Sequence, residues 1–155
     1  MAIPNKIYDR MVSGVIGEVA FDGPTRARTA ILSSTDETNN LFASAYTFTD
    51  VSATTVAAGG AGVFAGLMIS PKANGSGELY VPNGEQSEFL DMGEIYADVD
   101  GADETTAIKT PVYYIPATGK LTITSTDNTL VPNCVIERNA PSAVTPTLCV
   151  LRLTN

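Results

Sequence analysis

The chain has 155 residues, of which 44% are hydrophobic and 17% charged, and its formal net charge is −8. This length fits one domain, or one domain with an arm. Nucleic acid and anionic membranes attract clustered Lys and Arg, whereas the nine basic residues here are scattered. We therefore expect no nucleic-acid partner.

The residue types also exclude most catalytic chemistry. The chain has no histidine, which removes the usual general base, the histidine-activated nucleophile and most zinc and iron ligand sets. Its two cysteines, Cys134 and Cys149, lie in apolar surroundings, where buried free thiols are the expectation. We predict a protein that is not an enzyme and has no cofactor.

The first twenty residues differ from the rest. They contain isolated apolar residues without a steady period, interrupted by Pro4, Gly14 and Gly17. A segment with apolar anchors but no pattern of its own often packs on something else, so we predict an N-terminal arm over residues 1–20 and a body over 21–155. The arm has no basic region followed by an apolar run, and we expect no signal peptide.

The first half of the body reads as short strands separated by turns. The segment Val56–Ile69 is apolar but contains four glycines and is shorter than the ~20 residues of a membrane span, so we expect no membrane association. The polar run Ser33–Asn40 predicts a loop, and Asp50–Ala58 is the best place for a short helix. Predicted strands, with a bulge at Gly93, are Arg26–Leu32, Leu41–Asp50, Phe64–Ile69, Glu78–Val81 and Phe89–Val99.

The last third predicts a hairpin and two closing strands. Val112–Ile115 and Leu121–Thr124 flank a turn at Pro116–Gly119, and Leu130–Ile136 and Leu148–Leu153 follow. Strands at this spacing predict an all-β fold: a small single-domain β-barrel or β-sandwich with an extended N-terminal arm.

Three weak signals of chemistry remain. Gly60–Ala65 matches a dinucleotide fingerprint, but a β-like run follows it where the motif requires a helix. The acidic run Asp98–Glu104 resembles a calcium loop with its glycine too early and no closing glutamate. Pairs such as Glu85 with Glu88 or Asp91 with Glu94 lack nearby aromatic residues for a sugar cleft. We predict a glycine-rich turn and solvated acidic residues, and no catalytic or metal site.

Several segments are similar to the structural cement, or decoration, proteins of tailed-phage heads. The residues that carry the resemblance are Phe89–Val99 (FLDMGEIYADV), Pro111–Tyr114 leading to Thr118–Leu121, and Leu148–Leu153 (LCVLRL). Gly62–Ser70 and Gly14–Pro24 also resemble earlier parts of the family. These motifs are structural turns and strands, so what they imply is the fold first.

The resemblance implies a protein that binds the outer surface of the phage head across neighbouring major capsid proteins and stabilises the shell. We expect the protein to be made in the host cytoplasm and to act on the capsid as a trimer or dimer, with a trimer preferred because it matches a three-fold site of the lattice. We expect the apolar arm residues to carry the capsid contact: Ile3, Pro4, Tyr8, Met11 and Val12. Alternatives left open are another virion subunit, such as a head–tail connector or tail protein, and a carbohydrate- or calcium-binding β module.

Overall fold

The computed structural model describes residues 14–21, 23–71 and 80–154. Within these residues the chain forms nine strands and one turn of 3₁₀ helix, Glu37–Asn39, with no α-helix. The strands are β1 (Arg26–Leu32), β2 (Ala45–Phe48), β3 (Thr55–Ala58), β4 (Phe64–Met68), β5 (Gln86–Asp100), β6 (Pro111–Tyr114), β7 (Leu121–Thr122), β8 (Thr129–Asn139) and β9 (Leu148–Leu153).

The strands close into two rings that share β5. The first barrel runs β1–β3–β2–β4–β5 and closes through pairing of β5 with β1. The second barrel runs β5–β7–β6–β8–β9 and closes through pairing of β9 with β5. Closure leaves each ring without a long exposed edge. The predicted all-β, barrel-containing fold is confirmed.

The shared strand changes partners near Gly93. Residues 86–92 of β5 pair with β1, and residues 93–98 pair with β9. The β1–β5 register shifts opposite Asp91, between Leu90 and Met92, two residues before the predicted bulge. Gly93 has φ +132°, and a Cβ there would lie 3.0 Å from Thr25 Cγ2. Glycine at this position permits the strand to pass from one barrel to the other.

Each barrel has its own hydrophobic core. In the first, the rings of Tyr46 and Phe89 lie 4.9 Å apart and are fully buried, and the Tyr46 hydroxyl donates to the carbonyl of Leu41 at 3.0 Å. The second and larger core lies mainly among β5 to β9, where Ile95, Ile136 and Leu151 are completely buried, and it extends to Ala45 and Leu67 of the first barrel. The apolar side chains of the strands therefore fill the interiors of two barrels.

Glycine-rich turns join the two barrels. The Ala45 amide donates to the Gly119 carbonyl at 2.8 Å, and the Gly60 amide donates to the Pro116 carbonyl at 2.7 Å. A Cβ on Gly119, which has φ +76°, would lie 2.5 Å from the Ala45 carbonyl oxygen. The predicted turns around Gly60 and Pro116–Gly119 thus form the inter-barrel contact.

A buried polar network holds the loop after β1. Asn40 is fully buried and accepts from the Ser34 hydroxyl at 2.6 Å. Its amide donates to the carbonyl of Val81 at 2.8 Å and to Asn83 Oδ1 at 3.0 Å. Ser34 Oγ in turn accepts from the amide of Ala58. The network ties the predicted loop 33–40 to β3 and to the segment that precedes β5.

Two local predictions are wrong. Asp50–Ala58 is not helical: the Asp50 carboxylate accepts from the amides of Thr54 and Thr55 at 3.0 and 2.9 Å, which closes a turn, and β3 follows. The side chain satisfies donors that a helix would otherwise use. In the predicted strand Glu78–Val81, residues 78 and 79 lie outside the described residues, and Tyr80 and Val81 are not in a strand.

Candidate functional site

The base of the predicted arm is hydrogen-bonded along β5. The Gly17 amide donates to the Tyr96 carbonyl at 2.8 Å, the Tyr96 amide to the Glu18 carbonyl at 2.9 Å, and the Ala20 amide to the Glu94 carbonyl at 2.9 Å. This track runs antiparallel to β5, as β1 does further along the chain. Residues 17–20 therefore continue the pairing of β5 and fix where the preceding chain joins the body.

Two glycines permit this close approach. Gly17 has φ +86°, and a Cβ there would lie 2.8 Å from Phe42 Cβ and 2.9 Å from the Ser70 amide nitrogen. Gly14 packs directly on a face of the Tyr96 ring, since a Cβ there would lie 2.3 Å from Tyr96 Cε2. Larger residues at either position would push the arm base away from the body.

A groove lies beside the arm base, where the two barrels meet. Its cavity volume is about 810 Å³, within the range of roughly 300–1,000 Å³ that is typical of binding pockets. The apolar lining comes from three separate parts of the chain: Val15, Ile16, Leu41, Phe42, Ile115 and Leu121. Val15 is 68% exposed. Asp98, Asp100 and Lys120 also line the groove. We call this set of residues the junction groove.

The residues predicted to contact a partner, Ile3, Pro4, Tyr8, Met11 and Val12, lie outside the described residues. Sequence reasoning identified the apolar residues Val15 and Ile16 as part of the arm but did not find the rest of the groove. Leu41, Phe42 and Ile115 lie in or beside turns, and no periodicity links them to the arm. Their one sequence signal is that they are apolar residues at the ends of strands.

The residues that gave weak chemical signals have structural partners in the fold. The stretch after Gly60 enters strand β4, so the helix that a dinucleotide motif requires is replaced by a strand. Asp91 pairs with Arg26 at 2.8 Å and with Arg28 at 3.6 Å. Within the described residues, no three His, Cys, Asp or Glu side chains form a group that could hold a metal ion.

In the acidic run 98–104, the carboxylates of Asp98 and Asp103 accept hydrogen bonds from nearby threonine residues. Asp98 accepts a hydrogen bond from the Thr147 hydroxyl. The side-chain hydroxyl of Thr105, and then its amide, donate to Asp103 and lower the pKa of that carboxyl. These contacts are those of a solvated turn.

The thiols are equally unreactive. Both cysteines are free and buried. Burial raises the pKa of Cys134 to about 12, and burial together with the charge of Asp98 raises that of Cys149 to about 11. A thiol with so high a pKa has almost no thiolate at neutral pH and is a poor nucleophile.

No helix within the described part of the chain is long and apolar enough to cross a membrane.

Comparison with protein families gives a match over residues 3–154 to the family described as "Structural cement protein (E217 gp24/Pam3 gp6)". The chain belongs to the phage structural cement proteins. The match covers almost the whole chain, so the resemblance noted in the sequence is confirmed.

A solved structure supports the fold of this cement protein. A chain in "The capsid of Myoviridae Phage XM1" superimposes with a TM-score of 0.71 at 18% identity, covering 100% of this chain and 99% of that one. No curated protein sequence matches. The family assigns the cement protein to the virion capsid, where it associates with and stabilises the shell.

Proposed function

We propose that this cement protein binds the outer surface of the phage head, with the major capsid protein as its direct partner, and that it does so without catalysis. The family match over residues 3–154 carries the proposal. The absence of histidine from the chain and the high pKa of both thiols support a purely structural role.

The physical basis is linkage. A ligand that binds the assembled shell, and not its dissociated or unexpanded form, stabilises the shell by mass action, by about 2.7 kcal/mol per site at a free concentration 100 times the Kd. A lattice repeats each site many times, so a modest interface per copy is sufficient. The acidic body, in a chain of net charge −8, also disfavours binding to nucleic acid.

The arm is the proposed contact. Ile3, Pro4, Tyr8, Met11 and Val12 supply apolar side chains, and the segment joins the body where residues 17–20 are fixed to β5. An arm of this length can reach across a boundary between capsid subunits. We propose a trimer on local three-fold positions, because a three-fold site matches a three-fold ligand without breaking symmetry.

The test is binding of purified protein to expanded heads that lack it, compared with procapsids, by co-sedimentation. We expect saturable binding to expanded heads alone. A variant with all five arm residues changed to serine keeps the chain length and should fold normally but lose binding. Equal binding of this variant and the wild type would refute the arm contact, and absence of wild-type binding would refute head binding itself.

A further inference from the structure

The junction groove lies at the outer side of the two cores: Leu121 is buried in the larger core, Ile16 packs against that core and Phe42 against the other, and the groove is open to solvent beyond them. Val15 lies on its surface, 68% exposed, and Ile16, Leu41, Phe42 and Ile115 are partly exposed around it. Isolated exposed apolar residues are common on proteins, whereas here apolar side chains from three parts of the chain line one concave groove together with a few charged groups, which is the composition of a binding pocket.

The walls of the groove are held in place by backbone hydrogen bonds. Ser70 donates its amide to the Gly17 carbonyl at 2.8 Å, which fixes the arm wall against the first barrel. Ile115 donates its amide to the Lys120 carbonyl at 2.9 Å, which fixes the wall on the second barrel. A groove with preformed walls loses little conformational entropy on binding.

The polar residues of the groove carry a net negative charge. Asp98 and Asp100 contribute two carboxylates, and Lys120 one ammonium group. An apolar segment with a lysine or arginine complements this lining. A second copy of the same chain, with its net charge of −8, is repelled at long range and is the poorer partner.

The groove is continuous with the proposed capsid contact. The arm residues 3–12 precede Gly14 directly, and Val15 and Ile16 form part of the groove lining. Docking of the arm on the shell brings the same partner to the groove at a high effective concentration.

We propose that the junction groove takes an extended segment of the major capsid protein that presents apolar side chains and a lysine or arginine, an inference that rests on the proposed head binding. In this arrangement the arm lies on the shell and the groove holds a segment of the shell protein, so the protein makes two separate contacts with the head.

A matched pair of variants tests the groove. Val15→Asp places a charge among its apolar residues. Val63→Asp does the same in a smaller crevice between the barrels, about 320 Å³, which shares no lining residue with the groove. Both valines are well exposed, at 68% and 76%, so both full-length variants should fold, as thermal unfolding can verify.

Affinity for expanded heads is then measured by co-sedimentation over a concentration series. We expect Val15→Asp to weaken binding at least tenfold and Val63→Asp to change it less than twofold. Asp100→Lys should also weaken binding at low salt, with the deficit shrinking as salt is added, because screening removes the charge term.

Each alternative result is decisive. Wild-type protein that does not bind heads overturns the proposed function and the inference together. If the wild type binds and Val15→Asp stays within twofold of it, or if both valine variants lose affinity equally, the groove contact is wrong while head binding stands. Loss of self-association alone in Val15→Asp would assign the groove to a second copy and also overturn the inference.

Discussion

The guanidinium group of Arg138 donates a hydrogen bond of 2.7 Å to the Tyr96 hydroxyl and lies 5.4 Å from the centroid of the Tyr96 ring. Arg138 on β8 and Tyr96 on β5 are both register partners of Val150 on β9. Their side chains meet across this valine, which is completely buried although it points away from the barrel interior. Gly14 packs on the same ring.

Arg138→Ala should therefore lower the free energy of unfolding by about 1–2 kcal/mol, because it removes a partly exposed cation–π contact and a charged hydrogen bond and uncovers Val150. Tyr96→Phe keeps the ring and should lose about half as much. Urea unfolding followed by circular dichroism measures both. An Arg138→Ala variant as stable as the wild type would show that this outer contact contributes nothing.

The contact between the barrels makes Gly119 sensitive to any side chain. Gly119→Ala should destabilise the protein by about 2–4 kcal/mol, because the new Cβ meets the Ala45 carbonyl oxygen at 2.5 Å in addition to the strain of positive φ. Gly84→Ala is the matched control: it has a similar φ of +87° but open space around the added atom, and about 1 kcal/mol is expected. Equal losses in the two variants would contradict a close approach at Gly119.

The polar network around Asn40 predicts a large loss on truncation. Asn40→Ala leaves the Ser34 hydroxyl without its acceptor and the Val81 carbonyl without its donor, around a side chain that is itself completely buried. We expect a loss of about 2–4 kcal/mol. Asn128→Ala, which removes one exposed hydrogen bond to the Thr124 carbonyl, should cost about 0.5 kcal/mol or less. Chemical denaturation of the two variants side by side decides the point.

Asp50 predicts a specific pH dependence. Hydrogen bonds from the Thr54 hydroxyl, then from the Thr55 and Thr54 amides, lower its pKa to about 2, against about 3.9 in an unfolded chain. Because the folded pKa is the lower one, the contribution of Asp50 to stability is complete above about pH 4 and is lost as the pH falls toward 2.

The free energies of unfolding of wild type and Asp50→Ala should therefore differ at pH 7 and converge between pH 4 and pH 2. Direct titration of the Asp50 carboxyl by NMR gives the pKa independently. A titration midpoint near 4 would contradict the turn described here.

Much of the local structure follows from the sequence. Strand β1 has the predicted bounds, Arg26–Leu32, because turn residues precede it and a polar run follows. The hairpin around Pro116–Gly119 and the closing strand Leu148–Leu153 were equally readable. In these segments the local pattern and the tertiary contacts agree.

The closure of the two rings could not be predicted from the sequence, because it depends on pairing between strands that are far apart in the chain. Strand β3 has four residues, two of them alanine, and it is held as a strand by β1 and β2 on either side. The second barrel closes only when β9 returns to β5. A periodicity that predicts one barrel or sandwich cannot show that a single strand serves two.

The candidate site was also predictable from the sequence only in part. The N-terminal arm was predicted from its loss of pattern and its scattered apolar residues, and it stays a prediction because residues 1–13 lie outside the described residues. The junction groove could not be predicted, since Phe42 and Ile115 belong to different barrels and meet Val15 only after both have closed. The sequence shows where apolar residues lie along the chain, but only the folded structure shows which of them lie on the same surface.

Strand β5 couples the two barrels mechanically, because it is part of both. Its fifteen residues form a wall of each ring, residues 86–92 in the first and 93–100 in the second, so unfolding of either ring frees one end of the strand on which the other ring is built. We therefore expect a single cooperative unfolding transition. In the proposed arrangement on the head, a pull on the arm base would reach both barrels through this strand, and neither barrel would carry the load alone.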